Sequence, residues 1–309
     1  MVSNKFLIVI CGPTASGKTA LAIQVAQHFN TVVLSADSRQ FYREMNIGTA
    51  KPTTEELAAV PHHFIDSLSV ADNYSAGDFE RDALKLLDQL FLQHEVVAMA
   101  GGSGLFIKAV CEGLNSYPEV SEEIRNSLIQ ELKNNGLEPL QQELKTADPK
   151  YFATVDQQNP HRILRALEVC RASGKTFSEF QQQEKKERHF NPLFVALDWD
   201  RKVLYDRINQ RVDEMMEEGL LAEVKSLSEF QKLNSLQSVG YKELFSYLNG
   251  HETLETAVTL IKRNTRRYAK RQLTWFRKEK ALQWFAVTNK GNVVPWIEQQ
   301  MTDKDRLDD

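Results

Sequence analysis

Residues 6–19 read Phe-Leu-Ile-Val-Ile-Cys-Gly-Pro-Thr-Ala-Ser-Gly-Lys-Thr, and a helical pattern runs on from Lys18 to Phe29. The apolar run from Phe6 to Cys11 is a short β-rich stretch, a strand candidate. Gly12 to Thr19 then completes a GxxxxGKT between that strand and the helix, the context a phosphate loop requires. The glycines let backbone N–H groups converge, the helix N-terminus adds positive potential, Lys18 neutralises phosphate oxygens and the Thr19 hydroxyl can ligate Mg²⁺. Gly12, Pro13, Thr14, Ala15, Ser16, Gly17, Lys18 and Thr19 are therefore expected to hold a polyphosphate. None of them reads an organic group, so whatever is attached to the phosphates stays open.

Thr31–Leu34 and Glu95–Ala100 are further β-rich runs, and an amphipathic helical pattern from Gly77 to Gln93 precedes the second. Strands alternating with helices imply a parallel sheet with its ligands at the carboxyl ends of the strands. From about Asn115 to Arg188 the pattern is helical, punctuated by Pro118, Gly136, Pro139, Pro149, Pro160 and Gly174. Leu193–Leu197 is a strand candidate that returns to the sheet, helices follow from Arg201, and Leu282–Val287 is a last apolar run. The predicted fold is α/β: a P-loop NTPase-like parallel sheet core, residues 1–114 and 191–309, with an inserted all-helical domain at 115–190. The second part of the core carries a basic C-terminal helix, and the acidic end after Trp296 is expected to fray.

At 309 residues the chain suits one large or two modest domains. Hydrophobic residues at 42% and charged residues at 26% exclude a disordered or fibrous class. Phe6–Cys11 is far shorter than the ~20 residues a spanning helix needs, so neither a signal peptide nor a membrane anchor is expected. Cys11, Cys111 and Cys170 are too scattered for a CxxC pair or a four-ligand zinc site, and a reducing cytoplasm is the expected setting.

A net charge of −4 taken alone argues against a nucleic-acid partner, but it hides an asymmetry. Between Lys262 and Lys280 stand nine basic residues and one acidic, Glu279; without them the chain has 29 basic and 41 acidic residues, a net of −12. On a helix those basic positions fill about half the circumference, while Leu254, Val258, Ile261, Thr265, Tyr268 and Phe276 fall on the other side. The apolar side would seat on the core and leave Arg263, Arg266, Arg267 and Lys270 facing a polyanion. A solvated basic face without a partner is the competing reading.

An NTPase or kinase usually carries an apolar strand ending in Asp for the magnesium shell. Here Val96–Ala100 runs into Gly101-Gly102-Ser103-Gly104, with no carboxylate. Asp37, just past the second strand, stands at the same sheet edge and could bind metal, act as a base or merely cap a turn. His62 and His63 point in different directions as neighbours and make a poor metal pair, so no metal is assigned to them.

Seven stretches occur in order: GPTASGKT (12–19), SADSRQFY (35–42), NIGTAKP (46–52), GGSGLF (101–106), RALEV (165–169), SVGYKE (238–243) and AKRQLTWFR (269–277). Together they resemble the tRNA dimethylallyltransferase family, the isopentenyltransferases of bacteria, from about Leu7 to Phe285. In Ser103-Gly-Leu-Phe106 that family commonly has Thr and Tyr; the hydroxyl at 103 is kept. The resemblance implies transfer of a dimethylallyl group from its diphosphate to N6 of the adenosine immediately 3′ of the anticodon, in tRNAs reading codons that begin with U. The phosphate loop would then hold a leaving diphosphate with Mg²⁺ at Thr19, and a carboxylate-ended strand for ATP hydrolysis is not required. The same resemblance implies Asp37 as general base, Ser103 as an orienting or substrate-contacting hydroxyl, and Arg211 beside the diphosphate with Lys18.

The tRNA contacts implied are Asp37, Ser38, Arg39, Gln40 and Ser103; His161, Arg162, Ile163, Leu164 and Arg165; Gln237, Ser238, Val239, Gly240, Tyr241 and Lys242; and the stretch from Lys270 to Arg277, with Lys270, Arg271 and Arg277 its cations; Arg266 and Arg267 join them from the basic face of the helix. The helical insert would grip the anticodon stem-loop, the basic helix would track phosphates, and the target base would leave its stack. No membrane partner and a monomer are expected. Taken without the resemblance, Arg162, Arg165 and Arg211 could be surface charges and Tyr241 and Trp275 core residues. The rivals are a P-loop small-molecule or nucleotide kinase, and a non-catalytic tRNA-binding protein with a vestigial loop, against which intact Lys18, Thr19 and Asp37 speak.

Overall fold

The structure is a computed structural model that describes residues 4–181 and 186–308. Strand β1 (Phe6–Cys11) is buried along its whole length. Leu7, Val9 and Cys11 enter one hydrophobic core and Phe6, Ile8 and Ile10 enter another on the opposite face, the two-sided burial its unbroken apolar run demands. Helix α1 (Lys18–His28) begins directly after Gly17 and buries Leu21, Ala22, Val25 and Ala26. The chain continues through β2 (Val33–Ser35), α2 (Thr54–Ala59), β3 (His62–His63), α3 (Ala76–Leu90), β4 (Val96–Gly101) and α4 (Gly104–Glu112). A reciprocal capping box between Ser75 and Asp78 starts α3, whose period-3.6 pattern buries Phe79, Ala83 and Leu87. Then come α5 (Glu122–Asn135), α6 (Glu138–Ala147), α7 (Pro149–Phe152), α8 (Pro160–Ser173) and α9 (Phe177–Phe180). The last part holds β5 (Asn191–Asp198), α10 (Arg201–Glu217), α11 (Leu220–Ser226), α12 (Tyr241–Leu248), α13 (Leu254–Phe276), β6 (Leu282–Ala286) and α14 (Val293–Asp308).

The six strands form an all-parallel sheet in the order β3-β2-β4-β1-β5-β6. From β1 the chain moves to β2 on one side and later returns to β5 on the other, so the carboxyl ends of β1 and its neighbours form a topological switch point, where such sheets bind ligands. One sheet face is covered by residues of α3 and α4, the other by residues of α1 and α14. The fold is thus the expected α/β, P-loop-type core. The expected fraying after Trp296 is not found: α14 runs to Asp308, because Val293, Val294 and Ile297 are buried in the second core and Lys304 Nζ donates to Asn191 Oδ1 (2.6 Å).

The chain divides into two compact units, Met1–Glu112 with Glu187–Asp309, and Gly113–Lys186. The second unit is built of α5 to α9 around its own core of Leu128, Leu140, Leu144, Ile163, Ala166 and Leu167. Within it Asp148, 1% exposed, accepts hydrogen bonds from Tyr151 N, Ser178 N and Ser178 Oγ, so its buried carboxylate is fully engaged. In the first unit a further core joins Tyr42, Met45, Val212, Leu220, Tyr241, Leu244 and Ile261, packing α10 to α13 behind the loop that follows β2. Among the described residues no helix is long and apolar enough to cross a membrane.

Candidate active site

Left-handed φ values at Gly12 (141°), Ala15 (62°) and Gly17 (85°) curl the phosphate loop over the start of α1. Three later segments hold it there. Trp199 Nε1 donates to Ser16 O (2.9 Å), and Arg207, stacked 4.5 Å over the Trp199 ring, donates through Nε to Ala15 O (2.9 Å). One turn further along α10, Arg211 Nη1 lies 3.4 Å from Thr14 Oγ1. From α13, Gln272 Oε1 accepts the Thr14 N–H (2.9 Å). Lys18 Nζ donates to Pro13 O (2.7 Å); burial, opposed in part by Asp37, pushes its ammonium down to about 8. Burial likewise lowers the Arg211 guanidinium, again opposed by Asp37.

A cavity of about 360 Å³ opens above the loop, lined by Thr14 to Thr19, Asp37, Gln40, His62, Arg207, Arg211, Tyr268 and Gln272. Converging loop amides, two arginines and Lys18 make it an anion site. Ser16 Oγ is buried here without a hydrogen-bond partner, a hydroxyl suited to a phosphate oxygen. His62 Nδ1 donates to Val60 O (2.8 Å), and its buried Nε2 is also without a partner.

Asp37 lines this cavity as well. Its Oδ1 accepts from Arg39 N (2.9 Å), an Asx-type turn that fixes the carboxylate. Ser103 Oγ accepts from Ser38 N (3.0 Å) and donates to Ser38 Oγ (3.2 Å), so it orients the Asp37–Ser38 turn through the backbone, with no direct bond to the carboxylate. The approach of this turn to β4 requires Gly101: a Cβ there would come within 2.2 Å of Ala36 O. Tyr268 of α13 lies close to Ser103 and Asp37; burial and that carboxylate push its phenol up to about 12, so it stays neutral.

A second cavity, about 520 Å³, shares Thr14, Ala15, Asp37, Thr49, Ala50, Arg211 and Tyr268 with the first. Its remaining wall includes Ser38, Arg39, Gln237, Ser238, Val239, Gly240, Lys242, Arg267 and Arg271, and the buried Ser238 Oγ has no partner. The two cavities therefore meet at Asp37, one lined by the phosphate loop and one by cations. The shared Thr49–Ala50 wall is held by Gln40 Nε2, which donates to both carbonyls (3.3 and 3.1 Å). Glu223 of α11 accepts the N–H groups of Asn46, Ile47 and Gly48 (2.9, 2.7 and 3.0 Å) and the Tyr241 hydroxyl (2.6 Å).

Several expected contacts are placed elsewhere. Tyr241 is fully buried against Gly48 with its hydroxyl on Glu223, so it shapes the groove without facing it. Gln40 lines the loop-side cavity and spends its amide on the Thr49–Ala50 turn. Ile163 is fully buried and Leu164 is packed on the core of the helical unit, because five consecutive residues of an α-helix span more than one full turn and cannot all face outward; of the five only His161 and Arg162 are exposed. Arg165 lies 5.2 Å over the Tyr117 ring and pairs with Glu168 (3.0 Å). Arg266 reaches Asn209 of α10, and Lys262 pairs with Asp213, so the basic arc is narrower than the wheel implies. Arg263, Arg267, Lys270 and Arg271 are exposed; Arg277 is exposed just past the end of α13 and lines neither cavity.

The buried stripe of α13 is Ala257, Ile261, Ala269, Gln272 and Phe276. Thr265 and Tyr268, which the pattern assigns to the core, line the groove instead. Arg207 and Tyr268 are site residues that no motif reading assigned to the site, and Gln272 lies inside the AKRQLTWFR stretch without a role of its own; the remaining signal is the i, i+4 spacing of Arg207 with Arg211 and of Tyr268 with Gln272, ordinary in any helix.

A parallel-sheet core with an anion cleft that opens past one carboxylate into a cation-lined groove defines a phosphate-loop transferase with a polyanionic acceptor. The family model described as IPP transferase matches residues 40–279, and the chain belongs to that family. Proteins named tRNA dimethylallyltransferase from Christiangramia forsetii and Cytophaga hutchinsonii are 52% and 47% identical to it, each over 96% of this chain and 99% and 98% of their own. The crystal structure of the full-length tRNA isopentenylpyrophosphate transferase of Bacillus halodurans matches with a TM-score of 0.74 at 37% identity, over 98% of this chain and 99% of that one. A eukaryotic dimethylallyltransferase acting on tRNA matches with a TM-score of 0.79 at 25% identity, over 98% of this chain and 80% of that one.

Proposed function

We infer that this chain transfers the dimethylallyl group of dimethylallyl diphosphate to N6 of the adenosine immediately 3′ of the anticodon, in tRNAs reading codons that begin with U. The meeting of the two cavities at Asp37 carries the reading, since a single carboxylate there can serve both a diphosphate held by the loop and a base in the cationic groove. N6 attacks C1 of the allyl group, the C1–O bond breaks, its electron pair leaves with the diphosphate, and one N6 proton passes to Asp37. An exocyclic amine is a weak nucleophile because its lone pair is delocalised into the ring, so proton removal as the bond forms is the help it needs. Lys18, Arg211 and the loop amides stabilise the charge that develops on the departing diphosphate, and Ser103 keeps the Asp37–Ser38 turn in place.

Mg²⁺ fits the site through the Thr19 hydroxyl in the first turn of α1, which lines the anion cavity. No group of three or more His, Cys, Asp or Glu side chains able to hold a metal occurs among the described residues, so diphosphate oxygens and water would complete its shell. When bound, the ion supplies further neutralisation of the leaving group. Arg39, Lys242, Arg267, Lys270 and Arg271 would follow tRNA phosphates, and exposed His161 and Arg162 are the contacts proposed for the helical unit. The enzyme is proposed to act as a monomer.

The test is incubation with dimethylallyl diphosphate, Mg²⁺ and unmodified tRNA, followed by mass analysis of the nucleosides. A dimethylallyl adenosine that forms only when the donor is present supports the reading. Unmodified tRNA together with ATP-dependent phosphorylation of a small molecule would replace it with the kinase reading.

A further inference from the structure

Gln272 is a polar residue on the buried side of the RNA-facing helix, and both ends of its amide are used. Its Oε1 accepts from Thr14 N in the phosphate loop (2.9 Å), and its Nε2 donates to Gly102 O (3.0 Å) in the turn that leads from β4 to Ser103. The side chain is 6% exposed, and a Cβ on Gly102 would come within 2.3 Å of Nε2, so the glycine is what lets the amide close on its carbonyl. One turn earlier on α13, Tyr268 touches Ser103, and the adjacent Arg271 lines the cationic groove. A single rigid helix thus presents cations outward while one amide pins the donor loop and the acceptor-side turn to each other. A hydrophobic residue of equal size would fill the same space but could neither accept from one backbone segment nor donate to the other.

We propose that Gln272 is a positioning residue for the transfer: it sets the separation between the diphosphate held by the loop and the N6 delivered beside Asp37. This rests on the transferase reading above. Displacement at C1 needs nucleophile, carbon and leaving oxygen in line, and a misplacement of about 1 Å costs on the order of 10²-fold in rate.

Gln272→Leu removes both hydrogen bonds at similar volume, and Gly102→Ala drives the intact amide out of place. Each is expected to lower the single-turnover transfer rate at saturating tRNA and donor by about 30- to 100-fold. The dissociation constants for tRNA and for an unreactive thio-linked dimethylallyl diphosphate should stay within about threefold of wild type, as expected when an interaction acts in the transition state alone. Gln272→Glu keeps an acceptor for Thr14 N but sets a carboxylate against Gly102 O and the diphosphate, so its donor KM should also rise by about tenfold or more. A Gln272→Leu rate within threefold of wild type, or a rate loss matched by equal loss of bound substrate, overturns the proposal. Should that variant fail to fold, Gly102→Ala decides by the same readout. A wild-type protein that prenylates no tRNA would instead overturn the transferase reading, a result visible before any variant is made.

Discussion

As the proposed base, Asp37 would have to be held firmly enough to face an incoming N6 and still be free to take a proton. The Arg39 N–H fixes one carboxylate oxygen, and the turn beneath is carried by Ser103, so the second oxygen remains for substrate. Asp37→Ala should lower single-turnover transfer by roughly 10²–10⁴-fold while tRNA affinity, measured by filter binding, changes little; near-normal turnover would remove the base assignment. Lys18 has a pH signature. Its ammonium is lowered to about 8, so above that pH the free enzyme loses the charge proposed to bind diphosphate, whereas below it the charge is already in place. Binding of the diphosphate analogue is therefore expected to be flat below about pH 7 and to weaken as pH rises through 8, with proton uptake in calorimetry over that interval. In Lys18→Ala the slope should vanish along with most of the affinity. For stability the sign is opposite: the unfolded chain holds this proton more tightly than the folded one, so the cost of burying it is relieved as pH rises above 8.

Among the elements, α13 does most to join structure to function. Its small buried residues, Ala257 and Ala269, let it lie close to the core, while Arg263, Arg267, Lys270 and Arg271 stay exposed. Arg267→Glu and Arg271→Glu should each weaken tRNA binding and flatten its dependence on salt, because fewer counterions are released per bound phosphate. Arg266→Glu should act less through salt than through loss of its Asn209 contact, so unequal salt slopes at 266 and 267 would verify which of the two faces RNA. The β4–α4 connection is equally constrained. Gly101→Ala would force Ala36 and β4 apart and is expected to destabilise the first unit by about 1–3 kcal/mol, as overpacking does, with the loss read in urea unfolding.

For the molecule as a whole, two compact units with separate cores imply separable energetics. Leu128 is fully buried in the helical unit, and Leu128→Ala should cost that unit about 2–5 kcal/mol. Calorimetric titration of the diphosphate analogue, whose proposed site lies in the first unit, should be unchanged in that variant, while tRNA affinity falls. Loss of analogue binding would show that the two units fold as one.

Much of this was readable from local pattern. Phe6–Cys11, GxxxxGKT and the alternation of strands with helices name the sheet and its phosphate loop, because an apolar run buried on both faces and a backbone anion cradle each leave a contiguous signature. Segregation of charge along residues 262–280 likewise marks α13 as a basic amphipathic helix. What pattern could not supply is side-chain direction across long separations. Gln272 meets Thr14 across 258 positions and Gly102 across 170, and Glu223 holds a turn more than 170 residues away. Ile163, Leu164 and Tyr241 sit inside motifs yet face the core, and α14 is ordered although its composition is polar and acidic. Those outcomes depend on which neighbours the folded chain brings to a given face, and a linear sequence encodes its neighbours only through the packing that folding completes.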